Sequence, residues 1–251
     1  MSGHSHWSSI KHKKGVVDAR RGKVFSKLAR NITNAARTGG GDLDTNLRLK
    51  YAIDKAKDAN MTKDSIDRAM KKGTGELAGE ELFEITYEGY GPHGVAMMIE
   101  TVTDNKNRTA AEMRKALENR GGSLGSQNCV AFRFEKKGVI VVPADATDED
   151  ALMEIILEAG AEDMEHTGDI FEITTAIADF EAVKAALEEK EIPIESAEIS
   201  QVAKDSVPLD ADSGRKILDL MEILEDKEDV QNVYANFELP ESLLQEMAEG
   251  G

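Results

Sequence analysis

The sequence predicts a multidomain α and α+β protein: an N-terminal three-helix bundle followed by two α+β domains, one of them ferredoxin-like and inserted in the other. Three observations carry this. Apolar residues recur at helical spacing up to about residue 75 and alternate with period two from Phe83 onward. Residues 138–203 read as strand, helix, strand, strand, helix, strand. A helix and strand at 210–239 lack a sheet of their own, while the strand-strand-helix-strand piece at 82–135 lacks helix to cover its sheet. The expected divisions are a basic arm at 1–22, a helical bundle at 23–75, a discontinuous α+β domain at 82–136 plus 207–240, and a ferredoxin-like domain at 137–206.

The elements follow in order. Residues 1–22 read as an extended arm of histidines, lysines and glycines with no apolar period. A helix is expected from Gly22 to Arg37, where Val24, Phe25, Leu28, Ile32 and Ala35 share a face before Gly39-Gly40-Gly41 stops it. A second starts near Asn46 with Leu49, Ala52, Ile53 and Ala56 inward, and Thr62 caps a third with Ile66, Ala69 and Met70 inward. Phe83, Ile85 and Tyr87 alternate as a strand; Val95–Val102 is another. Thr109-Ala110-Ala111-Glu112 has capping-box spacing for a helix to Gly121, and residues 128–135 read as a strand containing Cys129. In the ferredoxin-like stretch, helices are expected at 147–159 and near Asp179, with strands around Thr167-Gly168 and at 194–202. Residues 214–226 return to helix, and Val233, Ala235 and Phe237 close with a strand.

Charge is the most informative global feature. The formal net charge is −17, but residues 1–75 carry 17 Lys+Arg against 7 Asp+Glu, and the remainder is strongly acidic. Residues 11–37 hold nine basic side chains and one acid, Asp18. On the first helix Arg20, Lys23, Lys27, Arg30 and Arg37 fall in a stripe about 100° wide, with Asn34 on it and the apolar residues opposite. Unpaired cations on one helix face repel, and a polyanion backbone would relieve them, so this face is expected to look outward and meet nucleic acid. Arg21 adjoins the stripe, and the arm adds Trp7, Lys11, Lys13 and Lys14. Trp7 suits base stacking or groove insertion and equally suits anchoring the arm. Lys106 and Arg108, with Arg114 and Lys115 behind them, form a smaller secondary basic cluster.

Other chemistry is not supported. His4, His6 and His12 lack a fourth metal ligand. Asp210-Ala211-Asp212-Ser213-Gly214 fails as a calcium loop because Met221 stands where a Glu is required. Gly39–Gly41 follows a helix and lacks the Lys-Ser/Thr of a phosphate loop. No catalytic triad or metalloenzyme motif occurs, so the expectation is no enzyme, no cofactor and no small-molecule substrate. One cysteine, the absence of a long apolar run and the polar N-terminus point to a cytoplasmic protein that does not enter membranes.

The motifs resemble one family. Met1-Ser2-Gly3-His4-Ser5-His6-Trp7-Ser8-Ser9-Ile10-Lys11-His12-Lys13-Lys14-Gly15, Asp18-Ala19-Arg20-Arg21-Gly22-Lys23, Tyr87-Glu88-Gly89-Tyr90-Gly91-Pro92, Thr103-Asp104-Asn105-Lys106-Asn107-Arg108-Thr109 and Asp229-Val230-Gln231-Asn232-Val233-Tyr234 look like those of the YebC/PmpR family. The departures are His6 where Lys is usual, Leu47 where Pro is frequent and His93 where Gly is usual. The resemblance implies a cytoplasmic three-domain protein. Bacterial members are described as DNA-binding transcriptional regulators, while mitochondrial relatives and some bacterial ones act as translation factors with ribosomes. The functional expectation is thus a nucleic-acid-binding regulator of DNA transcription, with ribosomal RNA or the ribosome as the alternative target. A third reading is a scaffold whose acidic domains hold a basic protein partner. On the first reading those acidic domains repel the polymer and stay free for protein contacts.

Overall fold

The computed structural model describes residues 18–249, with side chains from Gly22 to Met247. Helices α1 (Asp18–Gly39), α2 (Leu47–Asp58) and α3 (Lys63–Thr74) form the N-terminal helical region. Its core joins Leu28, Ile32, Ala35 and Ala36 of α1 to Leu49, Ile53 and Ala56 of α2 and Ile66 and Ala69 of α3. These are the apolar positions that helical spacing selects. Helix α1 already includes Asp18, so residues 18–22, expected in the arm, are helical instead. At Gly73 the backbones come close: a Cβ there would lie 2.4 Å from the Thr33 carbonyl. The turn into α2 is organised by Asn46, whose buried side chain accepts from Leu49 N at 3.0 Å. It also donates to the carbonyls of Ala35 at 2.9 Å and Gly40 at 2.7 Å.

Two sheet-containing α+β domains follow. The first sheet takes β1 (Phe83–Tyr90), β2 (Ala96–Thr103), the short β3 (Ser123–Leu124) and β9 (Val230–Ala235) in the order β3-β1-β2-β9, all antiparallel. One face is covered by α4 (Lys106–Glu118), α7 (Ala211–Glu225) and α8 (Glu241–Glu249). Met97, Ile99, Met113, Leu117, Leu220 and Val233 meet there, fully or almost fully buried. A parallel pair, β8 (Val207–Pro208) and β10 (Phe237–Glu238), joins the chain just before α7 to the chain just after β9. The second sheet takes β4 (Phe134–Pro143), β5 (Ala161–Thr167), β6 (Ile170–Thr175) and β7 (Ser196–Ala203) in the order β5-β6-β4-β7, again antiparallel. Helices α5 (Glu149–Glu158) and α6 (Phe180–Glu189) supply Leu152, Ile156, Phe180, Val183 and Leu187 to its core.

Two local expectations change. Helix α4 begins at Lys106, capped by Asn105 rather than Thr109: Asn105 accepts from Arg108 N at 3.1 Å. The Thr109 hydroxyl is used inside the protein instead. The strand expected at 128–135 does not form. Buried Glu88 accepts backbone N–H bonds from Asn128 at 2.7 Å, Val130 at 2.9 Å and Ala131 at 2.8 Å, which withdraws them from any ladder. The strand starts at Phe134 and runs unbroken to Pro143 in the second sheet. Cys129 lies in that loop, where burial and then the Glu88 charge push its thiol pKa up, away from nucleophile behaviour. His93, at a position where the resembled family usually has Gly, adopts φ 61°, the left-handed region that glycine enters at least cost.

Because Asn46 satisfies two carbonyls and one amide in a buried turn, Asn46→Ala should lower the stability of the helical region by about 2 kcal/mol. Urea denaturation followed by hydrogen exchange on α1 and α2 measures this.

Candidate nucleic-acid interface

The basic stripe on α1 is formed as the helical period requires, but it does not look outward. It lies against the turn that links α7 to β9. Lys23 Nζ contacts Asp226 Oδ2 at 2.8 Å. One helical turn on, Lys27 donates to the Glu225 carbonyl. Arg30 reaches two acids, pairing with Asp229 through Nη1 and with Glu228 through Nη2 at 3.1 Å. Asn34, buried, donates to Glu84 Oε2 at 3.2 Å, and Arg37 to the Glu80 carbonyl at 2.7 Å. The expectation of an outward-facing stripe is corrected on this point. Helical spacing identifies which residues share a face, whereas the acids opposite come from about 200 positions later in the chain.

Asp229 is the centre of the contact. Its side chain is buried, and an ionised carboxylate in that position must be paired and hydrogen-bonded. Besides Arg30 it accepts from Arg108 Nη2 at 2.8 Å, Thr109 Oγ1 at 2.7 Å and Thr103 Oγ1 at 3.1 Å. Burial opposes its ionisation. The hydrogen bonds from Arg108 and Thr109, and the charges of Arg108 and Arg30, outweigh burial and hold its pKa below the usual carboxylate value. Arg108 is held in turn by Asp104 at 2.7 Å, and its two carboxylate partners raise its own pKa.

A second set of contacts comes from α2. Arg48 grips Glu84 with both nitrogens at 2.8 Å, a bidentate geometry. Lys55 pairs with Glu198 of β7 at 2.9 Å. The Tyr51 ring meets Phe180 edge-on at 6.1 Å, and its hydroxyl donates to Glu181. Burial, then Glu181, raises the Tyr51 pKa. The helical region therefore touches both α+β domains through pairs that are mostly solvent-exposed. Exposed pairs of this kind contribute about 0–1 kcal/mol each.

Of the residues singled out in the sequence, the structure brings Lys23, Lys27, Arg30 and Arg37 onto one face together. For Arg20 and Arg21 only the helical backbone of α1 is described. Trp7, Lys11, Lys13 and Lys14 lie outside the described residues. Lys106 stacks over the Phe83 ring with Nζ 3.9 Å from its centroid, and Arg108 is spent on Asp104 and Asp229. Glu84, Asp226, Glu228 and Asp229 were missed. A signal for Asp229 was present: it opens Asp229-Val230-Gln231-Asn232-Val233-Tyr234, and its partners belong to Thr103-Asp104-Asn105-Lys106-Asn107-Arg108-Thr109. Among the described residues, no group of three or more His, Cys, Asp or Glu could hold a metal ion, and no helix is long and apolar enough to cross a membrane.

The geometry defines a three-part chain in which a cationic helical region is carried by two acidic α+β domains. Comparison with known proteins identifies the family. The family model described as the TACO1/YebC protein N-terminal domain matches residues 5–76, and the one described as the TACO1/YebC second and third domain matches residues 82–237. The chain belongs to the TACO1/YebC family. A protein of Desulforapulum autotrophicum named a probable transcriptional regulatory protein is 50% identical over 98% of this chain and all of its own length. A protein of the same name from Rubrobacter xylanophilus is 52% identical over 99% of this chain and all of its own. The crystal structure of a conserved hypothetical protein from Aquifex aeolicus superposes with a TM-score of 0.83 at 46% identity, covering 94% of this chain and 97% of that one.

The depressed Asp229 pKa carries a pH dependence. A carboxylate whose folded pKa lies below its unfolded one stabilises the protein above the unfolded value, about 3.9, and that contribution is lost as pH falls through the folded value. Asp229→Asn should therefore lower the thermal midpoint at neutral pH. The gap from the unmodified protein should narrow only below about pH 4. Differential scanning calorimetry of the two proteins across that range checks the sign.

Proposed function

We propose that this protein is a non-enzymatic, nucleic-acid-binding regulator of gene expression that acts on DNA in transcription. The observation that carries the reading is the single cationic face of α1, on which Lys23, Lys27 and Arg30 recur at successive helical turns. Such a row suits a phosphate backbone, because each phosphate neutralised releases counterions. Family membership supports the regulatory role, and the names of the relatives favour transcription. Arg20, Arg21 and Arg37 extend the same contact, with Trp7, Lys11, Lys13 and Lys14 of the preceding segment. Lys106 and Arg108 are secondary contacts in this reading. The reading takes the protein to be cytoplasmic and to need no cofactor, with the acidic domains open to protein partners. It also takes the 137–206 unit as a ferredoxin-like module inserted between 82–136 and 207–240. The strand order β5-β6-β4-β7 and the pairing of β2 with β9 across that unit support this.

The test is fluorescence anisotropy of labelled DNA and RNA across a salt series. Lys23→Ala/Lys27→Ala/Arg30→Ala should weaken binding and reduce the slope of log K against log salt by up to about three. Unchanged binding by the folded triple variant would remove α1 from the interface. Recovery of ribosomal RNA rather than promoter DNA after crosslinking in cells would move the target to the ribosome.

A further inference from the structure

The α1 stripe already has an anionic partner in this structure, and the partner is part of the same chain. We propose that the acidic turn 225–229 is an autoinhibitory mimic of a nucleic-acid backbone. It occupies the cationic face of α1, and nucleic acid binds that face by displacing it. The inference rests on the reading of α1 as a nucleic-acid-binding surface and adds its regulation.

Four features carry it. First, the turn meets the stripe in series: Lys23 takes Asp226, Lys27 takes the Glu225 carbonyl, and Arg30 takes Glu228 and Asp229. Anionic or carbonyl oxygens thus lie along the helix where phosphate oxygens would be needed. Second, the outer partners are exposed. Lys23, Asp226 and Glu228 keep more than half of their side-chain surface in solvent, so water and an incoming phosphate reach these pairs without unfolding the core. Third, Asp229 does not depend on Arg30. Arg108, Thr109 and Thr103 satisfy it from within its own domain, so the departure of Arg30 leaves no orphaned buried charge. Fourth, residues 75–82, between α3 and β1, form neither helix nor strand, and residues 75–81 lie at the surface. This segment gives the helical region a joint about which α1 can leave the turn.

A tethered competitor acts at high effective concentration, so it lowers the apparent affinity for an external ligand by the fraction of molecules that are open. Weakening the turn should raise affinity without touching any cation. Asp226→Asn/Glu228→Gln removes two exposed acids and spares the buried Asp229. Glu154→Gln/Glu158→Gln, on the exposed face of α5, makes the same change in net charge away from α1 and serves as the control. The probe is a short fluorescein-labelled DNA duplex, with the RNA of the same sequence beside it. The expected result is binding at least about fivefold tighter for the turn variant, with the control within about twofold of the unmodified protein.

A second readout uses the 2.8 Å contact directly. A zero-length carbodiimide should join Lys23 to Asp226, and saturating probe should suppress that crosslink. If both variants gain affinity equally, or if the crosslink persists at full yield in probe-saturated protein, the turn is a permanent dock. The autoinhibition is then overturned while nucleic-acid binding stands on another surface. If neither the unmodified protein nor the turn variant binds either probe, the nucleic-acid reading fails and takes this inference with it.

Discussion

The buried carboxylate of Asp229 is the constraint around which the helical region and the first α+β domain are arranged. It sits immediately before β9, and β9 pairs with β2 so that Val230 faces Thr101. That register carries Asp229 to the end of β2, beside Thr103. The same carboxylate takes Arg108 and Thr109 from the first turn of α4, which orients that helix over the sheet. Arg30 then reaches in from α1. A buried charge is tolerated only when it is paired and hydrogen-bonded, so the strand pairing and the start of α4 are interdependent, and Arg30 of α1 docks onto a carboxylate that its own domain already satisfies.

Charge segregation along the chain acquires a structural meaning from this arrangement. A basic front and an acidic rear within one molecule attract each other, and the front here rests on the rear through Lys23, Lys27, Arg30, Arg48 and Lys55. Pairs of this exposure add little stability one by one. Their number and spacing fix orientation instead, as complementary charge does between separate proteins. The helical region owes its internal stability to its own apolar core of Leu28, Ile32, Leu49, Ile53 and Ile66. Docking and folding thus depend on different forces.

Most of the fold was legible because it is written locally. The apolar faces of α1, α2 and α3, the alternation in β1 and the strand-helix order of 138–203 all appear in the structure with ends shifted by a few residues. The failures share one cause, a side chain recruited by something distant. Thr109 has the chemistry of a cap, but Asp229 draws its hydroxyl inward and Asn105 caps α4 one turn earlier. Residues 128–135 have strand-like composition, but Glu88, forty positions upstream, takes their amides. The site was legible by half. Helical geometry gives the cationic stripe, whereas its acidic partners follow only from the pairing of β2 with β9, which no local pattern encodes.

A stripe of cations on one helix face needs an anion, and in this structure the anion is an acidic turn of the same chain. An internal partner and an external one are not exclusive, because the contact is built in two tiers. Its rim, where Lys23 meets Asp226 and Arg30 meets Glu228, is wet and exchangeable. Its centre, Asp229, is over-provided with donors and stays satisfied whether or not Arg30 is present. A surface whose cations were paired only with deeply buried acids could not be given up without unfolding, and one with no internal partner would bind any polyanion indiscriminately. Separating the weak tier from the strong one gives α1 a resting partner, and on the proposed reading a longer, denser row of phosphates outcompetes it.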